Sequence, residues 1–311
     1  MKKGLYDLLY KKYSLMMKDI LGNDLMNQKA FSEYMQTELK GMSFFESGEK
    51  GQISFLYYGA WEENGVNHYY VPTFGYYAED EKSMVRLFQK WSEEIVEGIC
   101  EFSINLYAKD NDCIRGFHMM QFGNMSEKCI KELEDNYSAL EGFDIKVLYK
   151  EDIKSNWSEI WRATGSIIEH LKRAPVFYPA DEFTEEIYNE YFMSEDLELI
   201  VAYKDNKIAG IIEWNKDENE FMHKKDDSVN VGEAFVYPEY RGTGLSEKLL
   251  RFSEKRALAE GYKYMWVEHG TANPNARGFW NKYFKTYSYE LVRSIAKSQE
   301  KSIRHYNINA V

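Results

Sequence analysis

The sequence predicts an α/β protein built from two domains of one design in tandem. Three observations predict it. The chain has 311 residues, too many for one ordinary small domain and comfortable for two. Its apolar periodicity switches repeatedly between the two-residue repeat of strands and the 3.6-residue repeat of helices. The halves also rhyme: "NDCIRGF" from Asn111 and "NPNARGF" from Asn273 each carry Asn and then Arg-Gly-Phe at the same offsets, 162 residues apart.

Helical spacing covers 4–21 and 24–40. Aromatic-rich strands follow at 52–59 and 67–78, joined by "EENGVN", whose Asn64-Gly65 is a hairpin turn dipeptide. Residues 81–97 form an amphipathic helix ending at Gly98. A strand at 100–108 and a helix at 111–122 complete the first half. Residues 124–142 are polar, and the boundary is placed near "SALEG", giving domains 1–140 and 141–311. The second half reads as strand 143–149, helices 155–172 and 183–192, and a hairpin at 197–214 turning at Asp205-Asn206. Strand 227–238, helix 245–260 before Gly261, strand 262–269, helix 274–284 and a closing strand at 287–295 follow. The offset of 162 lays Phe102–Tyr107 on Tyr264–His269 and brings helix 81–97 to within about one residue of helix 245–260. Strand 143–149 has no counterpart at that offset. The first sheet is therefore expected to lack an edge strand, and the tail 302–311 is a candidate to fill it.

Hydrophobic residues make up 44% and aromatics 16%, enough for large cores. A net charge of −12 argues against nucleic acid or an anionic membrane as the main partner. It suits a cationic substrate, and equally a plainly acidic enzyme. Cys100, Cys113 and Cys129 have no CxxC spacing, and no histidine pair has ligand spacing on one face, so no metal site is expected. Sparse, odd-numbered cysteines suit a reducing compartment. With no signal-peptide pattern at the N-terminus and no apolar run of about 18 residues, the expected place is the cytoplasm.

The stretch "YPEYRGTGLSEKLL" (237–250) puts Gly242 and Gly244 between a strand and a helix. A glycine turn delivering a helix N-terminus converges backbone N–H groups and positive dipole potential on one point, an anion site. A tight turn needing positive φ would use the same glycines. The pattern is neither GxGxxG nor a P-loop. It resembles the acetyl-CoA signature of the GNAT superfamily of N-acetyltransferases, with Arg241 and Gly244 in place and Ser246 at a last position usually held by Gly or Ala. "NPNARGFW" is similar to the family's downstream Asn-x-x-Ala-x-x-Phe/Leu-Tyr segment, through Asn273, Ala276 and Phe279. The resemblance covers roughly 141–295. It implies two tandem GNAT-like domains and acetyl-CoA as co-substrate. The pyrophosphate would lie on Arg241, Gly242, Thr243, Gly244, Leu245 and Ser246, and the pantetheine beside Phe235 and Val236. Asn273, Phe279 and Trp280 belong to the second segment; Asn273 is equally read as a helix cap before Pro274, as Asn111 would be in the first half. The first half reads "AEDEKSM" (78–84) at the turn. Glu79, Asp80 and Glu81 repel a diphosphate and suit a helix N-terminus, so the first domain is expected to be a degenerate copy without that site.

The activity implied is acetyl transfer to a primary amine of a small molecule or peptide by direct attack. An ammonium must lose its proton first, so a base is needed. Glu233 is the first candidate, with Glu268 and His269 as alternatives. A backbone N–H near Val236 would meet the oxyanion. Trp280 stands where the family often has a tyrosine that protonates the thiolate. Tyr283, one turn on, could replace it or belong to the core. Two other classes compete: a non-catalytic acyl-CoA sensor, and an aminoacyl transferase with paired GNAT-like domains, which the acidic charge disfavours. Asp181, Glu182, Glu185 and Glu186 would suit a polyamine or simply be a solvated face. The acceptor and the oligomeric state are not legible.

Overall fold

The computed structural model describes residues 3–18, 20, 27–49, 52–173, 184–216 and 227–297. The chain divides into two compact units. Unit 1 comprises Met1–Met125 with Ser288–Val311, and unit 2 comprises Ser126–Tyr287. Each is a mixed sheet with helices packed on it. The tail 302–311 and the acidic pair Asp181 and Glu182 lie outside the described residues.

Unit 1 runs α1 (Lys3–Met17), α2 (Gln28–Glu38), β1 (Ser43–Glu49), β2 (Gln52–Glu63), β3 (Val66–Val71), β4 (Tyr76–Tyr77), α3 (Glu81–Ile95), β5 (Ile99–Tyr107) and α4 (Asn111–Met119). Strand β3 stops before Pro72, which cannot donate to a ladder, and Gly75 N–H closes a turn onto Pro72 O. The expected strand 67–78 is thus two strands. Helix α3 buries Met84, Leu87, Phe88 and Trp91, one stripe at helical spacing. Its N-cap is Asp80, whose carboxylate accepts from Ser83 N–H. Strand β3 pairs in parallel with β5 along its whole length, Val66 with Ile99 through Val71 with Ile104.

Unit 2 holds β6 (Gly123–Glu132), β7 (Asp144–Leu148), α5 (Lys150–Ser155), α6 (Trp157–Arg173), α7 (Glu185–Phe192), β8 (Leu197–Lys204), β9 (Lys207–Asn215), β10 (Ser228–Val236), α8 (Leu245–Ala259), β11 (Tyr264–Gly270) and α9 (Pro274–Tyr283). Its sheet order is β7-β8-β9-β10-β11-β6. Strand alternation sends Ile200, Ala202, Ile212 and Val229 to one face, against Leu249, Leu250 and Trp280 of α8 and α9. Leu199, Val201 and Ile211 go to the other, against Ile160, Ala163, Tyr188 and Phe192 of α6 and α7.

The units do not meet at the expected 140/141. Strand β6, from the first half of the sequence, pairs antiparallel with β11, Ser126 with Gly270 through Glu132 with Tyr264. Strand β12 (Lys285–Ala296), from the second half, pairs with β5, Ser288 with Tyr107 through Ala296 with Ile99. Each half gives its closing strand to the other unit's sheet. The polar stretch 124–142, in which the sequence places the boundary, begins with most of β6, "GNMSEKCIKE", whose Ser126 and Glu127 are buried despite their polarity.

Candidate active site

Strand β10 and β11 are hydrogen-bonded in parallel only at Ser228–Asn230 with Tyr264–Trp266. Beyond that, a bulge between Val231 and Ala234 bends β10 while it stays paired with β9. The two strands part toward their C-terminal ends. Tyr237 N–H donates to Ala209 O at 3.0 Å, and Val236 lies opposite Gly210. Antiparallel alternation therefore turns the N–H and C=O of Val236 and Ala234 away from β9, toward the parting. Val236 O accepts from Arg241 Nε at 3.0 Å.

The chain then makes a 3-10 turn at Pro238–Tyr240 and enters α8 through Gly242 (φ 76°) and Gly244 (φ 87°). A Cβ at either glycine would meet nothing within 4 Å. Positive φ, rather than crowding, is what requires glycine here. Gly244 is the N-cap of α8, and no side chain bonds the first-turn amides. Those N–H groups are open to an anion.

Beside this terminus lies a cavity of about 350 Å³, walled by Ile167 and His170 of α6, Ala234, Phe235 and Val236 of β10, Arg241, Ser246 and Leu249, and Asn273, Ala276, Phe279 and Trp280 of α9. The structure thus gathers Phe235, Val236, Arg241, Ser246, Asn273, Phe279 and Trp280 around one space. Gly242, Thr243 and Leu245 are not among its walls: Thr243 Oγ1 donates to Tyr240 O at 2.7 Å, and Leu245 is core. Asn273 is an N-cap, its Oδ1 accepting from Asn275 and Ala276 N–H. The parallel with Asn111 does not hold. In the first half the cap is Asp110, and Asn111 is already helical.

On the α7 side of the sheet sits a pair of carboxylates. Glu233 is partly buried and accepts from Tyr188 Oη at 3.0 Å. Its own N–H donates to Glu213 Oε1 at 3.0 Å, which also accepts from Tyr191 Oη at 3.0 Å. Glu213 is 1% exposed, and its Oε2 has no partner. Gly232 is required by this approach, since a Cβ there would come within 2.2 Å of Glu213 Oε1. Burial raises the Glu233 carboxyl above its ordinary range. Burial, reinforced by the charge of Glu233, pushes Glu213 up to about 8. Sequence reasoning missed Glu213 and its partners Tyr188 and Tyr191. The signal was a lone carboxylate in the apolar run "AGIIEW".

The other base candidates are elsewhere. Glu268 is exposed and accepts from Ser126 Oγ at 2.6 Å. His269, on the opposite face of β11, is buried beside Glu127 and Cys129. Tyr283 packs under the Arg251 guanidinium and accepts from Lys282 Nζ. None of the three lines the cavity, and neither does Glu233, which sits on β10 one residue before the lining residue Ala234.

Residues 164–285 match the model of the acetyltransferase (GNAT) family. This chain carries a GNAT domain. Among solved structures, the chain is similar to a GCN5-related N-acetyltransferase from Sphaerobacter thermophilus (13% identity, 86% of this chain and 87% of that one, TM-score 0.47). It is similar to a tandem GNAT protein from the clavulanic acid biosynthesis pathway (11% identity, 84% and 85%, TM-score 0.46). It also resembles a GCN5-related N-acetyltransferase from Kribbella flavida (10% identity, 84% and 93%, TM-score 0.44). No curated protein is a significant match.

The GNAT domain can be set against its sequence counterpart in unit 1. There Asp80 caps α3, and Arg115 of α4 bridges Glu81 at 2.5 Å and Asp112 at 3.0 Å. A Cβ on Gly116 would meet Val85 Cγ2 at 3.2 Å and Glu81 Cγ at 3.4 Å. In the GNAT domain Gly278, from the same Arg-Gly-Phe triplet, has nothing within 4 Å. The matching helix pair is closed in unit 1 and parted in unit 2.

Proposed function

We infer that the GNAT domain is an acetyl-CoA-dependent N-acetyltransferase acting on a primary amine. One observation carries this: the uncapped, glycine-entered N-terminus of α8 opens beside a cavity that continues along the free backbone edge of β10. The first-turn amides Leu245 to Glu247 would hold a diphosphate, with Arg241 adding charge. The outward N–H and C=O groups of Ala234 and Val236 would bond an amide-bearing chain laid along the strand, as an added strand does. The residues fit the co-substrate. Acetyl-CoA, when bound, supplies an activated acyl carbon and a thiol leaving group of pKa about 8.5, which departs without strong acid help. That removes the need for a tyrosine at Trp280, and Tyr283 is not required as a donor.

Glu233 is the base in this reading. An acceptor ammonium has a pKa of about 10.4 and must be deprotonated before attack. Glu233 sits on the strand that lines the cavity, its pKa raised toward the range in which a carboxylate holds a proton well. Tyr188 orients it. Val236 N–H, turned away from β9, would be the donor that meets the carbonyl oxygen as it gains negative charge.

Thiol release from acetyl-CoA in the presence of a panel of primary amines tests the reading, using wild type and Glu233→Gln. Amine-dependent release, lowered by roughly a hundredfold or more in kcat/KM by the substitution, is expected. Tight acetyl-CoA binding with no release for any amine would instead mark a sensor.

A further inference from the structure

Glu127, Cys129 and His269 form a second cluster, apart from the acyl-transfer cavity. Its origin is the β6–β11 ladder. Glu127 and His269 are direct cross-strand partners, so their side chains share a face, and Cys129, two residues along β6, shares it as well. Helix α9 brings Asn281 over this face, and the start of β12 brings Thr286. All three central residues are buried: Cys129 is 0% exposed, Glu127 3% and His269 7%.

The spacing of the donor atoms distinguishes two readings. In a closed hydrogen-bonded ion pair, imidazole and carboxylate approach to about 2.7–2.9 Å. Here His269 Nε2 stands 3.5 Å from Glu127 Oε1 and 3.8 Å from Cys129 Sγ. The three donor atoms lie within 4.8 Å of one another. A fourth donor atom, Asn281 Oδ1, is 3.5 Å from Sγ. Around a tetrahedral Zn²⁺ with Zn–S about 2.3 Å and Zn–N or Zn–O about 2.0–2.1 Å, neighbouring donors lie roughly 3.3–3.6 Å apart. The His269–Glu127 and Cys129–Asn281 separations fall in or near that range, while the thiol makes only long, sulfur-type hydrogen bonds to His269, Asn281 and Thr286. His269 adds an independent observation. Its Nε2, the ring nitrogen that faces the cluster, makes only these two long contacts, so the buried ring finds no good hydrogen bond on that side. The carboxylate is also held by its neighbours, Oε1 by Asn281 Nδ2 at 3.1 Å and Oε2 by Thr286 Oγ1 at 3.0 Å; Thr286 stands as the outer partner that a ligating carboxylate has.

The geometry points to a structural Zn²⁺ site formed by Cys129 Sγ, His269 Nε2 and Glu127 Oε1, with Asn281 Oδ1 as the fourth donor. A thiolate, a carboxylate and a neutral imidazole match a divalent cation in charge, so the buried site is neutral. On binding, the Cys129 thiol gives its proton to solvent. The metal ties β6 to β11 and α9 without touching the cavity. This proposal departs from the sequence expectation of no metal site, because the ligands are 140 residues apart, from Cys129 to His269, and no sequence spacing marks them.

The full chain is stripped with chelator and titrated with Co²⁺. One tight equivalent is expected, with a thiolate-to-cobalt charge-transfer band and the intense visible bands of tetrahedral Co²⁺, displaced by Zn²⁺. Cys129→Ser should abolish the charge-transfer band and weaken Zn²⁺ by more than about a hundredfold, the upper end for loss of an outer partner alone. Cys113→Ser, in unit 1, should change neither. Zn²⁺ should raise the thermal midpoint of wild type. A wild-type chain that gives no tetrahedral thiolate spectrum overturns the proposal irrespective of how the variants fold. So does a folded Cys129→Ser chain that binds as tightly. Neither result bears on acetyl transfer.

Discussion

At Glu233, the sign of the pH dependence follows from its burial. A base must be unprotonated to act, and burial raises this carboxyl above the ordinary glutamate range. The rate should therefore rise with pH along an acid limb displaced upward from about 4.3. Glu233→Gln should remove that limb while acetyl-CoA affinity stays nearly constant. An unchanged limb in the pH–rate profile would move the role to another group. Glu213 gives a separate prediction, in stability. Its carboxyl goes from an ordinary 4.5 to about 8 on folding. The folded chain keeps a proton that the unfolded chain releases, so this contribution is complete below about pH 4.5 and is lost as pH rises through 8. Wild type should lose a few kcal/mol between pH 5 and 8 from this group. Glu213→Gln, with no proton to release, should lose less, as read by urea unfolding at both pH values. Equal losses would mean that Glu213 is ionised in the folded chain.

In the proposed reading, the element that would decide CoA binding is the turn into α8. Gly244 has φ 87°, where an ordinary residue costs about 1–2 kcal/mol but Asn is tolerated. Gly244→Asn should fold and retain CoA binding. Gly244→Glu carries the same backbone strain and adds a carboxylate at the helix N-terminus. A charge about 4 Å from a phosphate at an effective dielectric of ~20 is worth roughly 4 kcal/mol, so a loss of about 2–4 kcal/mol in CoA affinity is expected. Calorimetric titration separates the two variants. Full binding by Gly244→Glu would show that the glycines serve only the turn.

Across the whole molecule, two units of related design should bind one CoA per chain. In unit 1 the matching N-terminus is capped by Asp80, crossed by the Arg115–Glu81 pair, and flanked by strands that stay paired. Changing Glu79 to Gln and Asp80 to Asn should leave CoA affinity unaltered, because the turn still lacks glycine and α4 still packs on α3. Two sites per chain in the titration would overturn this.

The fold class, the repeat and the position of the glycine turn into α8 were all legible in the sequence, because each is written in local signals. Helix α3 shows its apolar stripe at 84, 87, 88 and 91, and the turn shows glycines at the two positions where φ is positive. The closing-strand exchange was half-visible. The offset of 162 lays β12, at 285–296, on 123–134, where β6 begins, but a mostly polar strand carries little periodic signal. Tertiary structure alone decided the rest. The Glu213–Glu233 contact depends on a bulge in β10 that re-aims its side chains. The parting of α8 from α9, against the closed α3–α4 pair, arises from packing between helices whose sequences share the same Arg-Gly-Phe triplet. The Glu127–Cys129–His269 cluster exists only because β6 lies in register beside β11. Local propensity is set by neighbours in sequence, whereas the partners of a buried polar group are set by which strands pair and in what register.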